Sequence, residues 1–331
     1  MRKWLCLVAL AFASCTTALP TAPVAHRVVA TPEATGSASV TVTFATPRKS
    51  VAHVAPARAI VKPPPIIGAD LSSFRRLGTW IDVFDYTNDP TTIRPLVAQM
   101  ARVGTKTLYL ETARSNSAGD IAFPASVTAA LDDAKASGMR VVAWYPPDFA
   151  NVGLDVRRSV AAMKFRTKRG NLFDAFASDI EYTQGVTDAA LRSQRAIQYS
   201  RAVRAAAGKV YPLGAIVIPP TSLDVNRTRW PNFPWTALSQ MYDVFMPMNY
   251  WTAHAANAAT ASDLTRRNVQ ETRALTGKPV HIIGGLAEES DISQVRAYVE
   301  AAQAAGSLGG SLYDFRTTKS NVWGELRRFN T

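Results

Sequence analysis

Short apolar segments with strand character alternate with helical segments from Thr79 to the C-terminus. The apolar segments predict eight strands, at Thr79–Tyr86, Thr105–Thr112, Met139–Pro146, Asp174–Tyr182, Tyr211–Ile218, Asp243–Trp251, Pro279–Leu286 and Leu308–Phe315. A predicted helix follows each strand, at Thr91–Val103, Ser126–Ser137, Asp155–Phe165, Asp188–Ala207, Pro234–Tyr242, Ala261–Thr276, Asp291–Ala305 and Asn321–Phe329. Eight such units in about 250 residues predict an α/β fold, a single (β/α)8 TIM barrel.

Glycines at the ends of four predicted helices support this division, because glycine readily adopts the left-handed backbone that ends a helix. They are Gly138, Gly208, Gly277 and Gly306. A doubly wound open sheet is the rival fold. It needs a glycine-rich phosphate turn after the first strand, and the sequence from Asp85 to Pro90 contains no glycine.

The first 18 residues have the features of a bacterial export signal. Two basic residues, Arg2 and Lys3, precede a short apolar run from Trp4 to Ala13, which is too short to span a bilayer as a permanent helix. Two processing routes stay open. The segment ending at Cys15 resembles a lipobox, which would place a lipid on Cys15, and the other route is ordinary cleavage near residue 18.

A Pro- and Ala-rich segment, residues 19–66, follows the signal and shows no helical or strand period. This composition predicts a disordered tether. The barrel domain is expected to cover residues 67–331. We therefore expect a protein that is secreted or anchored in a bacterial cell envelope, touching the membrane only through a lipid on Cys15.

Hydrophobic residues make up 47% of the chain and charged residues 19%, which permits a large core. The two cysteines, Cys6 and Cys15, both lie in the signal segment, so the barrel has neither a disulfide framework nor a cysteine zinc site. Only two of the four histidines, His254 and His281, lie in the barrel, which is too few for a histidine metal site. We expect no cofactor and assign no metal ligands, although a hydrolase with a carboxylate-bound divalent cation stays open as a third hypothesis.

The net charge of +12 is divided evenly between the segment before residue 67 and the barrel. A mildly basic surface suits an anionic wall polymer, but simple solubility is the favoured interpretation. No dense basic helix or aromatic–basic motif indicates a nucleic-acid module, so we expect no nucleic-acid partner. We expect a monomer.

Polar side chains follow the predicted strands at their C-terminal ends, where active sites of this fold lie. They are Asp85, Glu111, Tyr145, Asp179, Glu181, Asn249, Tyr250 and Asp314. Carboxylates gathered in an apolar barrel cost free energy unless they are paired or functional. We predict Asp179 and Glu181 as catalytic and the other six as substrate-binding, while for Asp85 and Glu111 a purely structural network stays open.

The fourth strand gives the sharpest prediction. Residues two apart on a strand face the same way, so Asp179 and Glu181 share a face with Ala177, whereas Phe176 and Ile180 form the apolar opposite face. Both acids should therefore point into the barrel. Two carboxyl groups this close cannot both ionise easily, and the drier one keeps its proton. A protonated acid beside an ionised partner is what glycosidic-bond cleavage needs.

Two other predictions concern Asp82 and the loop after the fifth strand. Asp82 has the opposite parity to Asp85 on the predicted first strand, so both cannot face the lumen, and Asp82 is assigned a structural role. Trp230, Phe233 and Trp235 follow the fifth strand as either a sugar platform or a packed loop.

The segment from Asp174 to Glu181 resembles the DxxDxDxE motif of family 18 chitinase-like glycosidases. It matches at Asp174, Asp179 and Glu181 and departs at Ala177. The resemblance implies that Glu181 protonates the leaving group, that Asp179 orients an acetamido nucleophile and that the anomeric configuration is retained.

Two further segments resemble the same family. Met248 to Tyr250 is similar to its M-x-Y motif on strand six, which implies that Tyr250 supports the acetamido group, and Gly309 to Leu312 is similar to its GG-x-M motif on strand eight. Because DxE also ends strand four in family 25 lysozyme-like barrels, the resemblance is to the TIM-barrel glycoside hydrolase superfamily. The wider pattern also resembles exported actinobacterial barrel proteins.

The sequence therefore predicts an exported O-glycosyl hydrolase that acts on a polysaccharide or cell-wall glycan. The alternative is a non-catalytic glycan-binding barrel of the cell envelope, which Ala177 favours because the motif has an acid there.

Overall fold

Eight strands alternate with helices in the computed structural model, which describes residues 68–254 and 256–331. The strands are β1 Arg76–Ile81, β2 Thr107–Glu111, β3 Arg140–Tyr145, β4 Ala175–Ile180, β5 Leu213–Val217, β6 Val244–Pro247, β7 Ile282–Leu286 and β8 Gly309–Tyr313. The helices are α1 Arg94–Arg102, α2 Pro124–Ala136, α3 Val152–Lys164, α4 Ala189–Ala207, α5 Pro220–Val225, α6 Trp235–Ser239, α7 Ala258–Thr276, α8 Ile292–Ala304 and α9 Trp323–Leu326.

The strands form one parallel sheet that closes on itself. Each of β1 to β5 pairs with the next strand, β1 also pairs with β8, and β8 pairs with β7. Single parallel bridges, Phe245 to Val280 and Met248 to Ile283, join β6 to β7. The predicted α/β TIM barrel is confirmed, and the C-terminal ends of all eight strands meet at one mouth.

Side chains that alternate along the strands build two separate cores. The outward residues pack against the helices, as Leu108 and Leu110 of β2 do. The inward residues form a second apolar cluster inside the barrel, which includes Val142 and Trp144 of β3 and Ala177 of β4. Each strand thus has one face that points into the barrel. Residues that directly follow the C-terminal end of a strand lie at the mouth.

Aromatic rings fill the barrel below the mouth. Trp80 stacks on Tyr109 with ring centroids 4.2 Å apart, and Phe74 packs beneath them. Gly214 makes room, because a Cβ there would lie 2.8 Å from the Phe74 ring. Ser311 Oγ accepts a hydrogen bond from Trp80 at 2.8 Å. The interior is therefore a packed core rather than a channel.

The predicted element boundaries differ from the structure mainly in the first strand. β1 ends at Ile81, whereas the sequence predicted a strand through Tyr86. The short helix α5 was not predicted. The four predicted helix-ending glycines all have positive φ, from +67° to +73°.

The signal peptide, the lipid site at Cys15 and the tether of residues 19–66 lie outside the described residues. No helix in the described part of the chain has the length and apolar character needed to cross a bilayer.

Candidate active site

Strand β4 carries two carboxyl groups to the mouth. Ala175 and Ala177 lie in the inner cluster, and Phe176 and Ile180 lie in the outer core. Asp179 continues the inward series, and Glu181 follows directly after the last residue of the strand. The structure therefore places both acids at the mouth on the inward side.

Burial raises the pKa values of both Asp179 and Glu181. Asp179 is only 7% exposed, and its Oδ1 has no hydrogen-bond partner among the described residues. Burial raises the pKa of Asp179 well above its usual value, and the nearby charges of Glu181 and Glu111 raise it further. Burial also raises the pKa of Glu181, against the effect of Arg229 and Arg114. The Glu181 side chain is more open, at 20% exposed.

Glu111, at the end of β2, is completely buried next to this pair. Its Oε1 accepts a hydrogen bond from Arg114 Nε at 2.8 Å, and its Oε2 accepts one from the Val83 N–H at 2.9 Å. Burial raises the pKa of Glu111 to about 7, although the Arg114 charge and both hydrogen bonds act in the opposite direction. Glu111 thereby anchors the loop after β1 and the loop after β2 to each other.

Three aspartates, Asp82, Asp85 and Asp314, gather beside Glu111, with carboxylate oxygens within 4.8 Å of one another. Each has a protein partner. The hydroxyl of Tyr313 donates to Asp82 Oδ2 at 2.8 Å, Arg316 lies 3.7 Å from Asp85, and the Thr317 N–H donates to Asp314.

The parity prediction for Asp82 was wrong. The chain leaves β1 after Ile81 and turns, with the Asp85 N–H donating to the Asp82 carbonyl oxygen at 3.1 Å. Strand alternation does not apply beyond Ile81, so Asp82 and Asp85 lie on the same side.

Two predicted substrate contacts face away from the mouth. Tyr145 lies in the outer core, and its hydroxyl donates to Asp155 on α3 at 2.6 Å. Asn249 is buried against α7, where its amide donates to Thr265 and accepts from Asn268. Both point toward the helices, because each directly follows an inward residue: Tyr145 follows Trp144, and Asn249 follows Met248. The structure therefore corrects the prediction for these two residues.

Tyr250 does lie on the inner side. It is half-buried against the inner cluster, and its phenol contributes to the raised pKa of Tyr313. The loop after β5 is a packed loop rather than a sugar platform, since Trp230 is 1% exposed and Phe233 is 7% exposed. The ring of Phe233 lies 5.0 Å from that of Trp230 and 4.5 Å from that of Trp235.

Two arginines at the mouth were missed from the sequence. Arg114 bonds Glu111, and the Arg229 guanidinium lies 3.7 Å from Glu181 Oε2. For Arg114 the sequence offered a signal, because it follows Glu111 by three residues. For Arg229, in the loop between α5 and α6, the sequence offered none.

Comparison of the barrel with solved structures identifies glycoside hydrolases. A chitinase from Chromobacterium violaceum matches with a TM-score of 0.54 and 12% identity, over 78% of this chain and 99% of that one. A class V chitinase mutant from Cycas revoluta, in complex with (GlcNAc)3, matches with a TM-score of 0.55 and 10% identity, over 77% and 100%.

The Bacillus cereus spore cortex-lytic enzyme SleL matches with a TM-score of 0.55 and 9% identity, over 76% of this chain and 73% of that one. No protein-family model matches this chain, and no curated protein does. The chain thus shares its TIM-barrel fold with these proteins.

Proposed function

We propose that this chain is an exported O-glycosyl hydrolase that cleaves a polysaccharide at the barrel mouth. Glu181 is the general acid and Asp179 assists it. The observation that supports this most is the pair itself, two inward carboxyl groups at the end of β4, both with raised pKa. Acid-assisted cleavage requires a carboxylic acid that keeps its proton near neutral pH.

The two acids have different roles because their exposure differs. Asp179 is the drier group and holds the shared proton more tightly, while Glu181 is open enough to reach a glycosidic oxygen. A bound sugar excludes water from Glu181 and raises its pKa further, so Glu181 gains the proton. It then passes the proton to the leaving oxygen as the bond from that oxygen to the anomeric carbon breaks.

A substrate with a 2-acetamido group would supply its own nucleophile. Its carbonyl oxygen attacks the anomeric carbon, Asp179 orients the amide N–H, and water then opens the cyclic intermediate with retained configuration. The resemblance to the family 18 motif supports this route, and the (GlcNAc)3 bound to the Cycas revoluta chitinase is a sugar of this kind. The basic surface supports an anionic envelope or wall glycan as the polymer.

A non-catalytic glycan-binding barrel of the cell envelope is the second candidate. It is favoured by Ala177, which lies on the inward face of β4 where the resembled motif has a third acid. Without that acid, the motif lacks one of the carboxyl groups that could transfer a proton, which favours binding without cleavage.

A hydrolysis screen of the full chain against a glycan library tests the proposal, with Glu181→Gln as the key variant. We expect turnover to fall by about 10²–10⁴-fold, as for loss of a general acid, while oligosaccharide binding persists. Glu300→Gln, on exposed α8, is the matched control. Turnover that survives EDTA argues against a metal-dependent hydrolase. A wild-type protein that binds glycans without cleaving any supports the second candidate.

A further inference from the structure

The turn after β1 presents one aromatic ring to solvent. Asp82 Oδ1 accepts the Phe84 N–H at 2.8 Å, and Asp82 Oδ2 is bonded to Tyr313. Asp82 and Asp85 are 4% and 3% exposed, yet Phe84 between them is 52% exposed. The backbone of this turn is therefore fixed from inside the mouth while the Phe84 side chain points outward.

Arg114 holds the Phe84 ring in place. Its guanidinium carbon lies 4.7 Å from the ring centroid, within the range of a cation–π interaction. The same guanidinium bonds Glu111, which in turn binds the backbone N–H of Val83, the residue before Phe84. The ring and the loop that carries it are thus both fixed to one buried carboxylate.

Arg114 also links Phe84 to the acid pair. Its charge lowers the pKa of both Asp179 and Glu181. Phe84 lies in the loop that follows the C-terminal end of β1, and Arg114, which contacts its ring, also bonds Glu111 at the end of β2. Phe84 therefore lies at the rim of the mouth.

The exposure of Phe84 is unusual within this chain. Among the large hydrophobic side chains exposed in residues 68–254 and 256–331, Phe84 alone is aromatic. An exposed phenyl ring forfeits hydrophobic stabilisation, and a rigid one loses little entropy when a ligand covers it. A pyranose ring has a flat apolar C–H face of matching size, and aromatic side chains commonly line ligand sites.

We propose that Phe84 is the stacking platform of a sugar-binding subsite beside the acid pair. One pyranose unit of the polysaccharide packs its C–H face on the Phe84 ring, while the neighbouring sugar unit lies at Asp179 and Glu181. This inference rests on the proposed function and adds to it that the site holds at least two consecutive sugars. Affinity should therefore rise with oligosaccharide length up to the unit that reaches Phe84.

The test measures oligosaccharide binding by calorimetry on the full chain carrying Glu181→Gln, which prevents turnover. The probes are N-acetylglucosamine oligomers and β-1,4-glucose oligomers, each of two to five units. Adding Phe84→Ala should weaken the longest bound oligomer by about 10-fold and the disaccharide much less, with an unchanged unfolding midpoint. Phe84→Trp should retain the affinity. Leu172→Ala, an exposed hydrophobic residue before β4 at the other end of the barrel, is the matched control and should change nothing.

Three results overturn the inference. Phe84→Ala protein that binds every length as tightly as its parent shows that the ring contacts no sugar. Equal weakening at all lengths together with a lower unfolding midpoint shows that Phe84 is structural. If the Glu181→Gln parent binds neither series, the proposed function fails for these sugars and the inference falls with it. Equal binding by parent and Phe84→Ala overturns the inference alone.

Discussion

The guanidinium of Arg229 lies 3.7 Å from Glu181 Oε2, with the two side chains 16% and 20% exposed. Arg229 precedes the buried Trp230, which anchors its loop against α4 through a hydrogen bond to Ser193. Its positive charge opposes the effect of burial on Glu181 and also lowers the pKa of Asp179. Arg229 thus sets the pH at which the proposed acid loses its proton.

Replacing Arg229 with Gln should move the alkaline limb of the kcat/KM profile to higher pH. Without the cation, the pKa of Glu181 and that of Asp179 both rise, so the pair keeps its proton further into the alkaline range. The measurement is the pH dependence of kcat/KM on a cleaved oligosaccharide. Arg227→Gln, an exposed arginine of the same loop, is the control. A limb that stays in place or moves to lower pH contradicts the assignment of this pair as the acid.

Glu111 should make the protein less stable as the pH rises through the range from about 4.5 to 7. In the unfolded chain this carboxyl group ionises near its usual pKa of 4.5, whereas in the folded protein burial raises its pKa to about 7. The folded state therefore binds more protons between these values, and the free energy of unfolding falls with pH. The contribution over the whole range is about 3 kcal/mol.

Glu111→Gln should therefore flatten this slope, although it also lowers stability at all pH values, because the amide nitrogen that replaces one carboxylate oxygen cannot accept a hydrogen bond from Val83 or Arg114. Urea unfolding at several pH values measures the effect, with Glu300→Gln as the control. A slope that the Glu111 variant leaves unchanged would show that its pKa is ordinary.

Tyr145→Phe should cost stability and leave catalysis unchanged. The Tyr145 hydroxyl donates to Asp155, whose pKa burial raises to about 6. Loss of that donor leaves a buried carboxyl oxygen unpaired, at about 1–3 kcal/mol. The expected pattern is a lower unfolding free energy with kcat/KM within about twofold of wild type. Tyr250→Phe should give the opposite pattern, because Tyr250 packs on the inner side. Lost activity with intact stability in Tyr145→Phe would place Tyr145 in the site.

Strand alternation predicted side-chain directions correctly along β4 and failed after the end of β1. Alternation along β4 placed Asp179 inward, because the residues from Ala175 to Ile180 are all in the strand. It failed at Asp82, since β1 ends one residue earlier and hydrogen bonding within a turn then sets the side-chain direction.

The contributions of loops could not be read from periodicity. Arg229 reaches Glu181 only through the packing of its loop, which depends on contacts between distant parts of the chain. The same limit applies to Phe84. Its exposure depends on a turn in which Asp82 accepts hydrogen bonds from the Phe84 N–H and from the hydroxyl of Tyr313 on β8, which is distant in sequence. The sequence thus predicts the strands that carry such a site, whereas contacts between distant parts of the chain determine which loop side chains reach it.

The aromatic rings packed below the mouth close the interior of the barrel at that level. Phe74, Trp80 and Tyr109 fill the lumen, so Asp179 and Glu181 are reached only from the mouth. Under the proposed function, a polysaccharide would therefore lie across the mouth and would not pass through the barrel. Binding in this way would not require a free chain end.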